Sequence, residues 1–129
     1  MKREIIICIL IILVIYTSNQ ITQKFTNDCV QKLSQDMYEI RGKLYTENVN
    51  NGALEGNIKL IEEDWENRKY KLAYYIEHNE LEKIETNITS MKSFIETEEY
   101  TNSINEIDKA IFILNHIKDK YTFTLENIF

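Results

Sequence analysis

The stretch YYIEHNELEKI, residues 74–84, decides how this chain folds, because two helical patterns meet within it. If one helix ran through the stretch, the apolar stripe that includes Leu72 would continue at Asn79. The next stripe begins instead at Leu81, two positions late, which is a rotation of about 200° around a helix. One straight helix cannot bury both stripes on the same face. The sequence therefore predicts a break near residues 77–79.

The polar residues of this stretch fit the two helix ends that such a break creates. Asn79 is a favoured N-cap residue, and Glu82, three positions later, completes a pattern similar to a capping box. Glu80 and Glu82 would lie in the first turn of one helix, and His78 in the last turn of the helix before it, where the helix dipoles favour their charges. The rival interpretation is an acid–base or metal site at His78 and these glutamates. Zinc and iron sites usually have more nitrogen or sulfur ligands, so the sequence favours the junction and predicts no metal or cofactor site.

The rest of the chain beyond residue 21 also has the pattern of packed helices. Apolar residues recur at three- and four-residue spacing, there is no proline, and only three residues are glycine. The clearest predicted loop is ENVNNGALEGN, residues 47–57. These features predict an all-α fold, an antiparallel bundle of long helices at about 22–48, 57–78, 80–96 and 98–120, with Thr97 capping the last. The predicted core includes Ile61, Trp65, Leu72, Leu81, Ile84, Ile107, Ile111 and Leu114.

The first twenty-one residues have a different composition and predict a membrane segment. Residues 5–16, IIICILIILVIY, are continuously apolar and follow two basic residues, Lys2 and Arg3. The run is short for a bilayer, but its extension to Ile21 gives a helix of about 25 Å against a hydrocarbon thickness of about 30 Å. A cleaved signal peptide has the same beginning but needs small residues at its cleavage site, and residues 16–20 match that requirement poorly. The sequence therefore favours an uncleaved anchor, and it predicts that the first helix continues from the membrane to about Asn48.

The basic residues near the start favour a cytoplasmic N-terminus. Under the positive-inside rule, residues 22–129 would then form an extracytoplasmic helical bundle at the cell membrane, with residues 5–21 in the lipid bilayer. Secretion after signal cleavage is the alternative.

Charge and cysteine content limit the function further. The chain carries a formal net charge of −6, and an acidic domain repels phosphate backbones, so nucleic-acid binding is not expected. Cys8 lies in the apolar run and Cys29 in the polar chain beyond it, so a disulfide between them is not expected. A buried, unpaired Cys29 is the preferred interpretation, although pairing with a second copy stays open.

Three aromatic side chains are candidates for a partner surface, and contact with the first helix is the alternative for Tyr70 and Tyr74. Tyr70 and Tyr74 lie one turn apart on the side away from Trp65, and Phe112 belongs to the apolar segment AIFILNHI, residues 110–117. A helix that is apolar all round is usually the central one of a bundle, and an exposed patch for a partner is the alternative. The final TFTLENIF, residues 122–129, is expected to fold back on the bundle.

The apolar start, Trp65, the run YYIEHNELEKIE, the LNHIK segment and the closing TLENIF together resemble one family. It is the domain-of-unknown-function family numbered 4363, short proteins of clostridia and relatives with an N-terminal membrane segment. The resemblance covers nearly the whole chain, and its most specific pieces are His78 with Glu80 and Leu81, and Asn127 with Ile128. It implies a membrane location and a helical architecture, but the family has no established activity and implies no catalytic residues.

Three functions fit these observations. The preferred one is a non-catalytic, single-pass, membrane-anchored bundle that acts by binding, as an accessory subunit with an integral-membrane partner or as a homo-oligomer. The second is a small enzyme or metal protein centred on His78. The third is a sensor-like ectodomain, which the lack of a following output domain disfavours.

Overall fold

The structure, a computed structural model, describes residues 1–122 of the chain. It contains helices α1 (Lys2–Leu44), α2 (Asn51–Leu72), α3 (His78–Glu96) and α4 (Tyr100–Tyr121). No β-strand occurs within residues 1–122, so the predicted all-α fold is confirmed. The prediction that TFTLENIF folds back concerns residues 123–129, which lie outside the described part.

The four helices form an antiparallel bundle in which consecutive helices are neighbours. α1 packs against α2 and α4, and α3 also packs against α2 and α4. The short connections, residues 45–50, 73–77 and 97–99, allow only neighbouring antiparallel placement. One end of the bundle therefore contains the α2–α3 turn and the end of α4, and the opposite end contains the end of α1 and the α3–α4 turn.

Helix α1 runs without interruption through the boundary predicted near residue 21. It is 43 residues long, and Gly42 is its first glycine in a stretch that also has no proline. Its apolar N-terminal part is long and apolar enough to cross a membrane, and none of that part is buried inside the protein. Its later part, from Thr26 onward, contributes buried residues to the bundle. The apolar segment and the bundle are thus joined by one rigid helix.

The core is formed by the apolar stripes that the sequence indicates. All eight predicted core residues are buried, and Trp65 is only 2 % exposed. Because each stripe repeats every three or four residues, its side chains project from one face of a helix into the same interior. Helix α1 adds a stripe with little or no exposed surface: Cys29, Val30, Leu33, Met37, Ile40 and Leu44.

The loop predicted at residues 47–57 is mostly helical, which corrects the start of the second helix. α2 begins at Asn51, and the Asn50 side chain caps it by accepting a hydrogen bond of 3.2 Å from the Ala53 backbone N–H. Two glycines suggested a loop, but Gly52 lies in the first turn and Gly56 is an ordinary helical position. The local capping bond and the burial of Leu54 outweigh the low helix propensity of glycine.

The break between α2 and α3 lies earlier than predicted, at Ala73–Glu77 instead of residues 77–79. Ile76 continued the apolar spacing of α2 and therefore suggested that the helix extended to residue 78. In the structure Ile76 is 4 % exposed but packs into the core from the turn, with its backbone N–H donating to the Leu72 carbonyl at 2.9 Å. The sequence position of Ile76 therefore resembles that of a further residue on the buried face of α2.

The last junction also differs from its prediction. Thr97 is the C-cap of α3, not the N-cap of α4, and its hydroxyl donates to the Ser93 carbonyl at 3.1 Å. Glu98 follows with a φ of 59°, and the Glu99 N–H donates to the Phe94 carbonyl at 2.7 Å. This is the hydrogen-bond pattern of a Schellman motif, which usually has glycine at the left-handed position. Because Glu98 is not glycine, the sequence gives little indication of the motif.

Helix α4 is not central, although its segment 110–117 is apolar on most sides. It has two helical neighbours, as each of the other helices does. Ala110, Ile111, Leu114 and Ile117 are buried, whereas Phe112 is 73 % exposed. The prediction of a central helix is therefore wrong, and Phe112 faces outward.

Candidate functional site

His78 is the first residue of α3, not part of the last turn of α2 as predicted. Its side chain is 83 % exposed, and its Nε2 lies 3.1 Å from a carboxylate oxygen of Glu82, one turn further along the helix. At a helix N-terminus the dipole does not favour a positive charge, so the dipole argument for His78 fails. Glu82, which was predicted in the first turn, lies beyond it, and His78 and Glu82 form an exposed pair on one helix.

Asn79 does not cap α3, which corrects the predicted capping box. The N-cap residue is Glu77, and its side chain makes no capping hydrogen bond. Asn79 is exposed within the first turn. The Glu77 backbone N–H instead donates to the Tyr121 hydroxyl at 3.1 Å, so the last residue of α4 contacts the beginning of α3.

Glu80 lies in the first turn of α3, as predicted, but its role extends beyond capping. It is 8 % exposed, and its carboxylate accepts hydrogen bonds from the Tyr121 hydroxyl at 3.1 Å and from Lys120 Nζ at 3.2 Å. Lys120 also donates to Glu77 at 2.9 Å, and His116 Nε2 lies 3.7 Å from Glu80. We call these five residues the junction cluster.

The electrostatics of the junction cluster are those of a structural ion pair. Hydrogen bonds to Glu77 and Glu80 raise the pKa of Lys120 well above its ordinary value. The hydrogen bond from Lys120 lowers the pKa of Glu77. Both groups are thus held in their charged forms, and neither is prepared for proton transfer near neutral pH.

A second set of polar contacts connects the α2–α3 turn to α1. The Tyr75 hydroxyl lies 2.7 Å from the Thr26 hydroxyl and donates to the Thr22 carbonyl at 3.4 Å. The Tyr75 ring meets the Tyr121 ring edge-on, with 6.5 Å between centroids. Burial raises the pKa of the Tyr75 hydroxyl, although the Thr26 hydrogen bond opposes the effect. Tyr75 therefore links α1 to the junction cluster.

Cys29 is a buried, free thiol, in keeping with the preferred interpretation of the sequence. Arg68 Nη1 donates to its Sγ at 3.4 Å, and the Arg68 Nε donates to both carboxylate oxygens of Asp64 at 2.8 Å. Burial raises the pKa of the Cys29 thiol, and Arg68 offsets this only in part. A buried protonated thiol is a poor nucleophile. In the sequence, the only indication of this contact is Arg68 itself, because it is a charged residue within the apolar stripe of α2.

The three candidate surface residues are all exposed, but Phe112 lies on a helix that does not pack against α2. Tyr70 and Tyr74 are 68 % and 89 % exposed on α2 and the turn after it, and Phe112 lies on α4. Phe112 borders an open groove between α3 and α4 together with Ile113, Asn79 and Lys83. Within residues 1–122, no three His, Cys, Asp or Glu side chains are arranged so that they could hold a metal ion.

Sequence reasoning missed Lys120, Tyr121, Tyr75 and Thr26. Each acts through a partner that is distant in the sequence, and nothing in its own neighbourhood indicates that contact. Only the three-dimensional arrangement brings Lys120 to Glu77, 43 positions away.

Comparison with known proteins adds a family but no activity. The model of a domain of unknown function, DUF4363, matches residues 18–128, which include the whole helical bundle of the described chain. No curated protein and no solved structure gives a significant match. The family match covers far more than half of the 129 residues, and it agrees with the resemblance carried by Trp65, His78 and Glu80. The chain belongs to the DUF4363 family of domains of unknown function.

Proposed function

We propose that the protein is a non-catalytic binding subunit held in the cell membrane by the first part of α1. The observation that supports the anchor most is the exposure of that part. From Ile5 to Tyr16, each of the large apolar side chains is more than half exposed. Ten of the twelve residues are Ile, Leu or Val, and their transfer into a bilayer is favourable by roughly 3 to 6 kcal/mol.

The positive charges at the start support an orientation with the N-terminus in the cytoplasm and the bundle outside. Lys2, Arg3 and the terminal amine lie on one side of the apolar segment, while Lys24 and Lys32 are spread along the other. We expect the chain, with its apolar segment, in the membrane fraction. Protease added to unlysed cells whose outer layers have been removed should cleave off a C-terminal tag. Removal of the tag only after lysis would contradict the orientation. Recovery of a soluble form beginning near residue 19 would favour secretion instead.

A role in binding is supported by the state of the reactive groups in the bundle. Glu80 is occupied by Lys120 and Tyr121, and the Cys29 thiol is buried and protonated. The chemistry of these residues is structural. Exposed Phe112 beside the α3–α4 groove is then available to contact an integral-membrane partner or a second copy of the chain.

Purification in mild detergent tests the binding role. We expect the tagged protein to retain a stoichiometric partner, or an untagged second copy, and the Phe112→Ser variant to lose it. Leu60→Ser is the matched control, because Leu60 is 64 % exposed on another helix, α2. Equal retention by both variants would place the partner surface elsewhere, and a monomer without partner would contradict the binding role.

A further inference from the structure

The contacts between α1 and α2 fix the level at which the α2–α3 turn lies along α1. Arg68 reaches Cys29, and Lys71 Nζ lies 5.6 Å from the centre of the Phe25 ring. Tyr75 then bonds to the Thr22 carbonyl. Because the two helices are antiparallel, later residues of α2 contact earlier residues of α1, which are nearer to the apolar segment. The turn is therefore level with the residues that directly follow Ile21.

Because α1 is continuous, the position of the α2–α3 turn along it fixes the distance of the turn from the bilayer. The helix has no break between the apolar segment and Phe25, so the bundle cannot move away on a flexible linker. Four residues from Ile21 to Phe25 rise about 6 Å. The headgroup layer on each side of a bilayer is about 5 to 7 Å thick. An anchored chain thus holds its α2–α3 turn at the depth of the headgroups.

The chemistry of this end of the bundle suits a headgroup layer. Tyr74, at the tip of the turn, is 89 % exposed, and tyrosine is enriched at membrane interfaces because its ring is apolar and its hydroxyl polar. Lys24, Lys71 and Lys118 are exposed at the same end. Lysine stems pack against acyl chains while their ammonium groups reach lipid phosphates.

The charge of the bundle is also unevenly distributed along its axis, and the end near the apolar segment is less acidic than the rest. The segments at this end, residues 22–28, 69–85 and 116–122, carry six lysines and six carboxylates. The remainder of residues 22–122 carries seven basic and thirteen acidic residues. Acidic groups are repelled by an anionic membrane surface, and here most of them lie away from the apolar segment.

We infer that the α2–α3 turn, Ala73–Glu77, is a membrane-contact surface that rests in the headgroup layer with the Tyr74 ring at the interface. The inference rests on the proposed anchor. Its occupant is the lipid bilayer: α1 brings the bilayer to this surface without any further partner. The bundle stands upright on its α2–α3 end, with the α3–α4 end farthest from the membrane.

Headgroup quenching on the full chain tests this surface. Cys8→Ala removes the exposed native thiol, and Cys29 is 1 % exposed and protected from labelling. Tyr74→Cys then carries an environment-sensitive dye, and Tyr45→Cys is the matched control. Tyr45 is 63 % exposed at the opposite end of the bundle, about 36 Å farther along α1 than Ile21. Both proteins enter vesicles of phosphatidylcholine and phosphatidylglycerol that contain a headgroup nitroxide lipid.

We expect the dye at position 74 to lose most of its fluorescence to the nitroxide and the dye at position 45 to lose almost none. Circular dichroism confirms that both variants keep the helical fold, and flotation of the vesicles reports anchoring separately. Floating protein with equal, weak quenching at both positions would overturn the membrane-contact surface and leave the anchor intact. Protein that stays at the bottom of the gradient would overturn the anchor, and this inference with it.

Discussion

At the scale of single residues, Lys120 and the two carboxylates that it contacts hold the end of α4 against the beginning of α3. Lys120 lies between Glu77 and the buried Glu80, and the Tyr121 hydroxyl connects the same two residues. The raised pKa of Lys120 means that its contribution is complete below its ordinary pKa of 10.5 and is lost as pH rises through the folded value. The lowered pKa of Glu77 means that its contribution is complete above 4.5 and is lost as pH falls through the folded value.

Replacement of Lys120 should therefore have a pH-dependent effect. Lys120→Met should lower the melting temperature between about pH 4.5 and 10.5, and the difference from the natural chain should shrink below that window as Glu77 protonates. Lys118→Met, at an exposed position on the same helix, serves as the control and should change little. A loss of melting temperature that persists undiminished in acid would indicate that Lys120 acts by packing of its stem alone.

His78 and Asn79 are exposed, so their replacement should be nearly neutral. The pair between His78 and Glu82 is a surface i, i+4 contact, and His78→Gln should reduce the free energy of unfolding by no more than about 0.5 kcal/mol. Asn79→Ala should have an equally small effect because Asn79 caps nothing. A chelator should leave the melting temperature of the natural chain unchanged. A chelator-sensitive melt that disappears with His78→Gln would instead support the metal protein.

At the scale of helices, the sequence indicates which faces are buried better than where each helix ends. The stripes through Trp65, Ile84 and Ile107 can be predicted from spacing alone, because apolar residues that recur at helical spacing identify the buried face of a helix. The ends depend on single contacts: Asn50 caps α2 within a stretch that resembled a loop, and Glu98 adopts a left-handed conformation. Ile76 gave a wrong helix end, because it lies four residues after Leu72. That spacing fits a buried residue in a turn as well as one on the helix.

Gly56 tests the corrected start of α2. A Cβ at this position would meet no atom within 4 Å, and the residue is exposed in a helix. Gly56→Ala should therefore raise the free energy of unfolding by about 0.5–1 kcal/mol, because alanine loses less conformational entropy than glycine on forming helix. Ala53→Gly in the same helix should act in the opposite direction. No gain from Gly56→Ala in chemical denaturation would favour the loop at residues 47–57.

At the scale of the whole molecule, one core and one uninterrupted helix determine the architecture. The core could be predicted from the sequence because all its stripes are local patterns. The junction cluster could not, since Glu77 and Lys120 are far apart along the chain and meet only when α3 and α4 pack. The continuity of α1 agrees with the predicted helix that emerges from the membrane, although the composition changes near Ile21.

Trp65 measures the contribution of that core. It is the largest of the fully enclosed side chains, with 2 % exposure in the middle of α2. Trp65→Ala should lower the free energy of unfolding by about 3–5 kcal/mol, because it leaves a large cavity. Leu60→Ala, exposed on the same helix, should stay within about 0.5 kcal/mol. Similar losses for both variants in urea titrations would contradict the packing of α2.

The intact mass of the protein recovered from its native cell membranes tests the central claim most directly. An uncleaved anchor that continues into the bundle as one helix predicts that the protein in the membrane fraction retains its apolar segment, so that its mass includes residues 5–21. A soluble protein of lower mass that begins near residue 19 would contradict the account, because the apolar segment would then be a signal that is removed.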